Sequence, residues 1–123
     1  MDIRRRNNVP VVGHGSQPLL LAHGFGCDQV MWRRIAPAFQ DDYKVVLFDH
    51  IGAGKSDLSA YSTDRHGSLD GYASDVLDVC AALDLQDVIF VGHSVSATVG
   101  MLPSFVSRPG FPVWCSSAPL PAI

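Results

Sequence analysis

Val88-Ile-Phe-Val-Gly-His-Ser-Val-Ser-Ala97 is the stretch from which the fold is read. Val88 to Val91 is a short apolar run, the pattern of a strand buried on both faces. It breaks at Gly92-His93-Ser94-Val95-Ser96, and the apolar residues from Val95 to Leu102 then suit a helix. Strand, sharp turn with a serine at its tip, helix: this setting turns a G-x-S-x-G-type sequence into a nucleophile elbow. Helix and strand nearly touch at such a turn, so its residues must be small. Gly92 meets that need. Ser96 stands where the second glycine is usual, and it is still small. The turn holds the Ser94 hydroxyl clear of the backbone, at a helix N-terminus that favours developing negative charge. Taken alone, the five residues also fit an ordinary strand-to-helix turn with an N-cap serine.

The rest of the chain repeats the same alternation. Leu19 to Ala22 reads as a buried strand and runs into the loop His23-Gly24-Phe25-Gly26. Asp28 is placed to cap a helix that begins near Gln29, with Met31, Trp32, Ile35 and Phe39 as its apolar face. Pro37 kinks or restarts that helix. Lys44 to Phe48 is another buried strand, followed by the polar, glycine-rich loop Asp49 to Asp57. Ser68 is placed to cap a helix in which Leu69, Tyr72, Ala73, Val76, Leu77, Cys80 and Leu83 share one face. Asp70, Ser74, Asp75 and Asp78 fall on the other, solvent-facing side. Asn8 to Val12 reads as a further short strand, and residues 1–7, with Arg4-Arg5-Arg6, as a flexible, solvated tail. Alternating apolar strands and helices predict an α/β fold, a mostly parallel sheet with helices on both faces. The loops after Ala22, Phe48 and Val91 then share the carboxyl edge of the sheet, where reactive groups gather.

Composition narrows the function classes. At 123 residues, 47% hydrophobic and 17% charged, the chain has room for one small globular domain. A net charge of -3 gives no reason to expect nucleic acid or an anionic membrane as a partner. No apolar run reaches the length of a membrane span. Cys27, Cys80 and Cys115 are odd in number and widely spaced, which argues against a disulfide framework or a zinc site and fits a cytoplasmic location. No metal or cofactor is expected. All twelve acidic residues are Asp, for which there is no physical account.

A serine nucleophile needs a base, a group to orient it, and N–H donors for the oxyanion. The Val95 N–H, just after the serine, is one candidate donor. The Phe25 N–H, in a glycine-flanked loop after a neighbouring strand, is the second. Phe25 and His93 are the candidate substrate contacts. Gly52-Ala53-Gly54-Lys55-Ser56 has a Gly-Lys-Ser end, but its spacing misses that of a phosphate loop. It reads as a structural loop, held by Asp49 and Asp57 through hydrogen bonds to backbone. His14, His23, His50, His66 and His93 read as loop or turn residues.

These motifs together carry a resemblance to the α/β-hydrolase superfamily. His23-Gly-Phe-Gly-Cys-Asp-Gln29, Leu47-Phe-Asp49 with Gly52-Ala-Gly54, Ser56-Asp57, Leu69-Asp-Gly-Tyr72 and Val91-Gly-His-Ser-Val-Ser-Ala97 resemble the bacterial RsbQ group, related to plant karrikin and strigolactone receptors. The resemblance runs from Asn8 to Leu102. It implies that Ser94 is the nucleophile and that Phe25 and Val95 supply the oxyanion hole. It implies hydrolysis or sensing of a small hydrophobic or ester-like molecule, with a regulatory protein of the stress sigma-factor pathway as a partner. The family's acid and histidine follow the serine, and no residue after Ser94 is Asp, Glu or His. The expectation is therefore the amino-terminal part of the fold, truncated after the elbow helix and catalytically incomplete. Two other readings stay open: a non-enzymatic module that binds a ligand or partner, and a truncated product without function.

The domain reading is 8–106 hydrolase-like and 107–123 divergent. From Pro109 onward the chain does not read as a strand, and prolines 109, 112, 119 and 121 oppose sheet pairing. Val113-Trp-Cys-Ser-Ser-Ala118 can be back-translated so that the neighbouring frame encodes an apolar strand ending in glycine. A one-nucleotide frame change between the codons for Leu102 and Phe111 is one account; a divergent, proline-rich tail is the other.

Overall fold

A computed structural model describes residues 2–102 and 113–116. Five strands form one sheet: β1 (Val11–Val12), β2 (Gln17–Ala22), β3 (Tyr43–Leu47), β4 (Ile89–Gly92) and β5 (Val113–Ser116), in the order β1-β3-β2-β4-β5. β1 runs antiparallel to β3, and every other pairing is parallel. The sequence-based expectation of a mostly parallel sheet holds.

Side-chain alternation explains why the central strands are apolar throughout. Leu20, Ala22, Val46, Phe48, Val88 and Phe90 pack on one face, against Ala73, Val76, Val79 and Val99. These last belong to α4 (Leu69–Ala82) and α5 (Val95–Gly100). Leu19, Leu21 and Val45 point to the other face, where Trp32 and Ala36 cover them. The helix expected from Gln29 is a 3-10 turn, Gln29–Trp32, capped by Asp28, whose carboxylate accepts the Val30 N–H at 2.9 Å. The chain restarts as a short helix, α2 (Ala36–Phe39), with Pro37 in its first turn, where the missing N–H costs nothing. Ser68 holds the N-cap position of α4, but its side chain makes no capping bond.

Three features differ from the sequence reading. The first is the amino terminus. Residues 2–7 are not a free tail: Ile3–Arg6 form α1, capped by Asp2. Arg6 and Asn7 are buried. Asn7 clamps the loop after β3, its Nδ2 donating to the Asp49 carbonyl at 2.9 Å and its own carbonyl accepting the Asp49 N–H at 2.8 Å. The second is Asp75, expected on the solvent face of α4 and in fact 1% exposed. Its carboxylate faces Arg6 (3.3 Å), Arg65 (2.6 Å) and His66 (2.7 Å). Arg65 and His66 reach it from α3 (Thr63–His66) and its end. Such burial is tolerated because every charge has a partner. The pairing also holds the Arg65 guanidinium above its ordinary pKa.

The third difference is β5. Val113-Trp-Cys-Ser, with no proline of its own, pairs in register with β4, Ile89 opposite Val113 and Gly92 opposite Ser116. The edge beside β4 is therefore paired by the sequence as written. The remainder of the divergent segment, 107–112 and 117–123, lies outside the described residues.

The ion-pair cluster predicts an asymmetry between neighbouring acids. Asp75→Ala removes the buried carboxylate that Arg6, Arg65 and His66 share and lowers unfolding free energy by about 3 kcal/mol or more. Asp78→Ala removes a carboxylate that is 41% exposed and costs less than about 1 kcal/mol. Urea unfolding of the two variants tests this; equal losses would show that Asp75 is not the keystone of the cluster.

Candidate active site

Ser94 sits between β4 and α5 with φ 57° and ψ -119°. That is a left-handed conformation that L side chains seldom adopt and that costs on the order of 1–3 kcal/mol. It persists because the turn is held on both sides. The Ser96 N–H donates to the His93 carbonyl at 3.1 Å and the Ala97 N–H to the Ser94 carbonyl at 2.9 Å. A Cβ on Gly92 would lie 2.7 Å from the Ala97 nitrogen, so the small residue expected there is required. Gly24 is as tightly placed: a Cβ would lie 2.9 Å from His93 Cδ2 and 3.1 Å from Ser94 Cβ. The loop after β2 thus rests directly on the elbow.

Phe25 leads this loop into solvent and is 70% exposed. Among the described residues, neither the Phe25 N–H nor the Val95 N–H donates to a backbone carbonyl. Beside Phe25 opens a cleft of about 720 Å³ lined by Phe25, Met31, His50, Ile51, Tyr61 and Tyr72, among others; Ser94 and Val95 do not line it. Burial is the main cause that raises the Tyr72 phenol above its ordinary pKa. His93, named with Phe25 as a substrate contact, does not line this cleft. It lines a separate apolar groove of about 600 Å³ with Leu21, Trp32, Ile89 and Val91.

The cleft's far wall is the loop after β3. Asp49, 1% exposed, holds it from inside. Its carboxylate accepts the Gln29 N–H (2.9 Å), the Lys55 N–H (3.0 Å) and the Asn8 amide (2.9 Å). Gly54, at φ 52°, lies against that carboxylate. A carboxylate therefore occupies the place where a phosphate loop would present its amides to a ligand, and the structural reading of Gly52–Ser56 holds. Asp57 accepts the Ser59 N–H at 3.0 Å, and its bonds to Ser59 hold its carboxyl below the usual range. Among the described residues there is no cluster of three potential metal ligands.

Two histidines read as loop residues prove to be structural members of the site. His23 and His50 are 1% and 7% exposed. His23 Nδ1 donates to the Gly24 carbonyl (2.8 Å), and its Nε2 accepts the His50 N–H (2.9 Å). The Ser96 hydroxyl donates to the His23 carbonyl. His50 Nε2 must then donate to Ser96 Oγ, 2.7 Å away. That tautomer leaves His50 Nδ1 without a partner among the described residues. The available signal was positional: each histidine follows the last residues of a central strand, at the carboxyl edge.

His50 is held neutral. Burial, and then the neighbouring His23, push its pKa from 6.5 down to about 3. The unfolded chain binds this proton near pH 6.5 and the folded chain does not, so its contribution to stability is intact above 6.5. It is lost as pH falls towards 3, by at most about 1.4 kcal/mol per pH unit. Urea midpoints at pH 7 and pH 5 should differ less in His50→Phe than in the parent; identical pH dependence would contradict a buried, neutral His50.

The alpha/beta hydrolase fold family matches residues 17–102. The chain is 42% identical over 107 residues to the Karrikin insensitive 2 receptor CA of Petunia hybrida, aligning 87% of itself with 39% of the receptor. It is 44% identical over 102 residues to the Strigolactone esterase D14 of Arabidopsis thaliana, covering 38% of that protein. A solved structure of olei00960, a hydrolase from Oleispira antarctica, superimposes with a TM-score of 0.88 at 42% identity, over 98% of this chain and 44% of the hydrolase. The chain spans about two fifths of the length of these relatives. No helix among the described residues is long and apolar enough to cross a membrane. A strained serine between a parallel strand and a helix, glycine-lined on both sides, agrees with the matched sequence, and the chain belongs to the α/β-hydrolase fold family.

Proposed function

We propose that this chain carries the nucleophile and oxyanion side of a serine esterase site for small, largely apolar esters. The observation that carries this reading is the Ser94 backbone, held at φ 57° by its turn with Gly24 packed on its Cβ. Strain of this kind is retained where it presents a side chain. In this reading Ser94 Oγ attacks the ester carbonyl carbon, and the Phe25 and Val95 N–H groups receive the oxyanion. Among the described residues both amides lack a backbone acceptor, which supports that role. Phe25, Met31, Ile51 and Tyr72 supply apolar wall to the neighbouring cleft, which Asp28 and Arg33 also line. The likeness to a strigolactone esterase points the same way.

A ligand-sensing role of the RsbQ kind is the second reading, in which the cleft binds a small ester-like molecule and a regulatory protein reads the outcome. The 42% identity to a karrikin-type receptor favours it. Within these 123 residues no Asp, Glu or His follows Ser94. Loss of the triad's histidine removes several powers of ten in rate, about 10⁴ or more.

Two outcomes are expected. The chain alone hydrolyses p-nitrophenyl acetate no faster than Ser94→Ala; a clear Ser94-dependent turnover would mean that an upstream histidine serves as base. With imidazole added as the base, Ser94 Oγ takes the acetyl group, p-nitrophenolate leaves and imidazole takes the proton. Acetyl-Ser94 then accumulates, by peptide mass spectrometry, at least about tenfold faster than acetylation of exposed Ser59 or of Ser94 in denatured chain. Equal labelling of the two serines would remove the basis for the esterase reading.

A further inference from the structure

We infer that Ser96 and His50 are positioning residues that set the gap between the Phe25 loop and the Ser94–Val95 turn. The inference rests on the esterase reading above. Its basis is a closed hydrogen-bond circuit at the carboxyl edge of the sheet. Ser96 donates to the carbonyl of His23, His50 donates from Nε2 to Ser96 Oγ, and the His50 N–H donates to His23 Nε2. Each residue comes from a different element: His23 follows β2, His50 follows β3, and Ser96 is in the first turn of α5. The circuit is sealed from water, with Ser96 0% exposed.

Its geometry bears on the oxyanion donors. The His23 carbonyl belongs to the peptide that enters Gly24, and the His23 ring bonds the Gly24 carbonyl, in the peptide whose N–H is that of Phe25. Both peptides before Phe25 are therefore fixed in orientation, one of them directly by the elbow helix. Ser96 is one residue beyond Val95, the other donor. One hydroxyl thus ties the two halves of the oxyanion site at a fixed distance. A glycine at this position would leave the close approach at Gly92 intact and give up the tie. Mispositioned donors lose much of their worth, because stabilisation of the oxyanion depends on preorganisation.

His50 acts through Ser96. Its Nε2–H saturates the hydroxyl oxygen and aims the hydroxyl proton at the His23 carbonyl. Its ring is fixed edge-on against His23, Phe48 and Tyr72. Neutrality of His50 over the working pH range keeps that donor–acceptor order constant.

The test follows acetylation of Ser94 by p-nitrophenyl acetate with imidazole, in the parent chain, Ser96→Ala and His50→Phe, each measured below its urea transition. Ser96→Ala is expected to lower the saturating acetylation rate by about tenfold or more, with the half-saturating ester concentration within about twofold. His50→Phe keeps the ring packing and lowers the rate by a smaller factor. Ser96→Thr, which retains the hydroxyl, recovers most of the parent rate. A purely structural role would shift the urea midpoints and leave these rates unchanged. Parent-like rates in folded Ser96→Ala and His50→Phe overturn the positioning role while the esterase reading stands. A parent chain that shows no selective Ser94 acetylation removes the esterase reading and the positioning role together.

Discussion

The approach of α5 to the end of β4 is the constraint on which this structure turns. Strand and helix meet so closely at Gly92 that no side chain fits, and the residue at the apex takes a backbone conformation it would otherwise avoid. Everything around the apex serves to hold that contact. Phe90 lies under Gly100, whose own Cβ would come within 2.8 Å of the ring. Gly24 brings the neighbouring loop down onto the serine. Parallel pairing of β2 with both β3 and β4 places the three loops side by side. The site is thus a property of the sheet edge and not of any single loop.

Much of this was legible in the sequence because it depends on local pattern. Apolar runs of four to six residues, glycines at their ends and one amphipathic helix are enough to specify an alternating parallel fold. The tight turn at Ser94, the glycine-rich loop after β2 and the Asp28 cap were readable for the same reason. What stayed hidden was tertiary. Asp75 sits on α4 at a position that periodicity assigns to water, yet Arg6, Arg65 and His66 converge on it from elsewhere in the chain. His23 and His50 look like loop residues until the sheet brings them together with Ser96. The prolines of the tail were read as a veto on pairing, but they flank Val113–Ser116 and leave its ladder positions intact.

Ser96 illustrates why a departure from a motif is worth a physical account. At the second small position of the elbow, glycine would satisfy sterics alone. A serine satisfies them too and adds a donor in a site with no water. A buried hydroxyl without partners would be a liability of about 1–3 kcal/mol. With the His23 carbonyl as acceptor and the His50 ring as donor, it becomes a fixed strut.

The amino-terminal clamp has a consequence for how the molecule comes into being. Arg6 and Asn7 precede their partners Asp49, Asp75 and Asp78 by about 40 to 70 positions in the chain. Contacts of such long sequence separation form only after the intervening chain has been synthesised and has collapsed. Until then Arg6 lacks its carboxylate partners on α4 and stays in water. Docking against α4 withdraws Arg6 from it. Arg6 and Asn7 are thus accessible until α4 is in place and buried once it is, whereas Arg4 and Arg5 stay exposed in the folded chain.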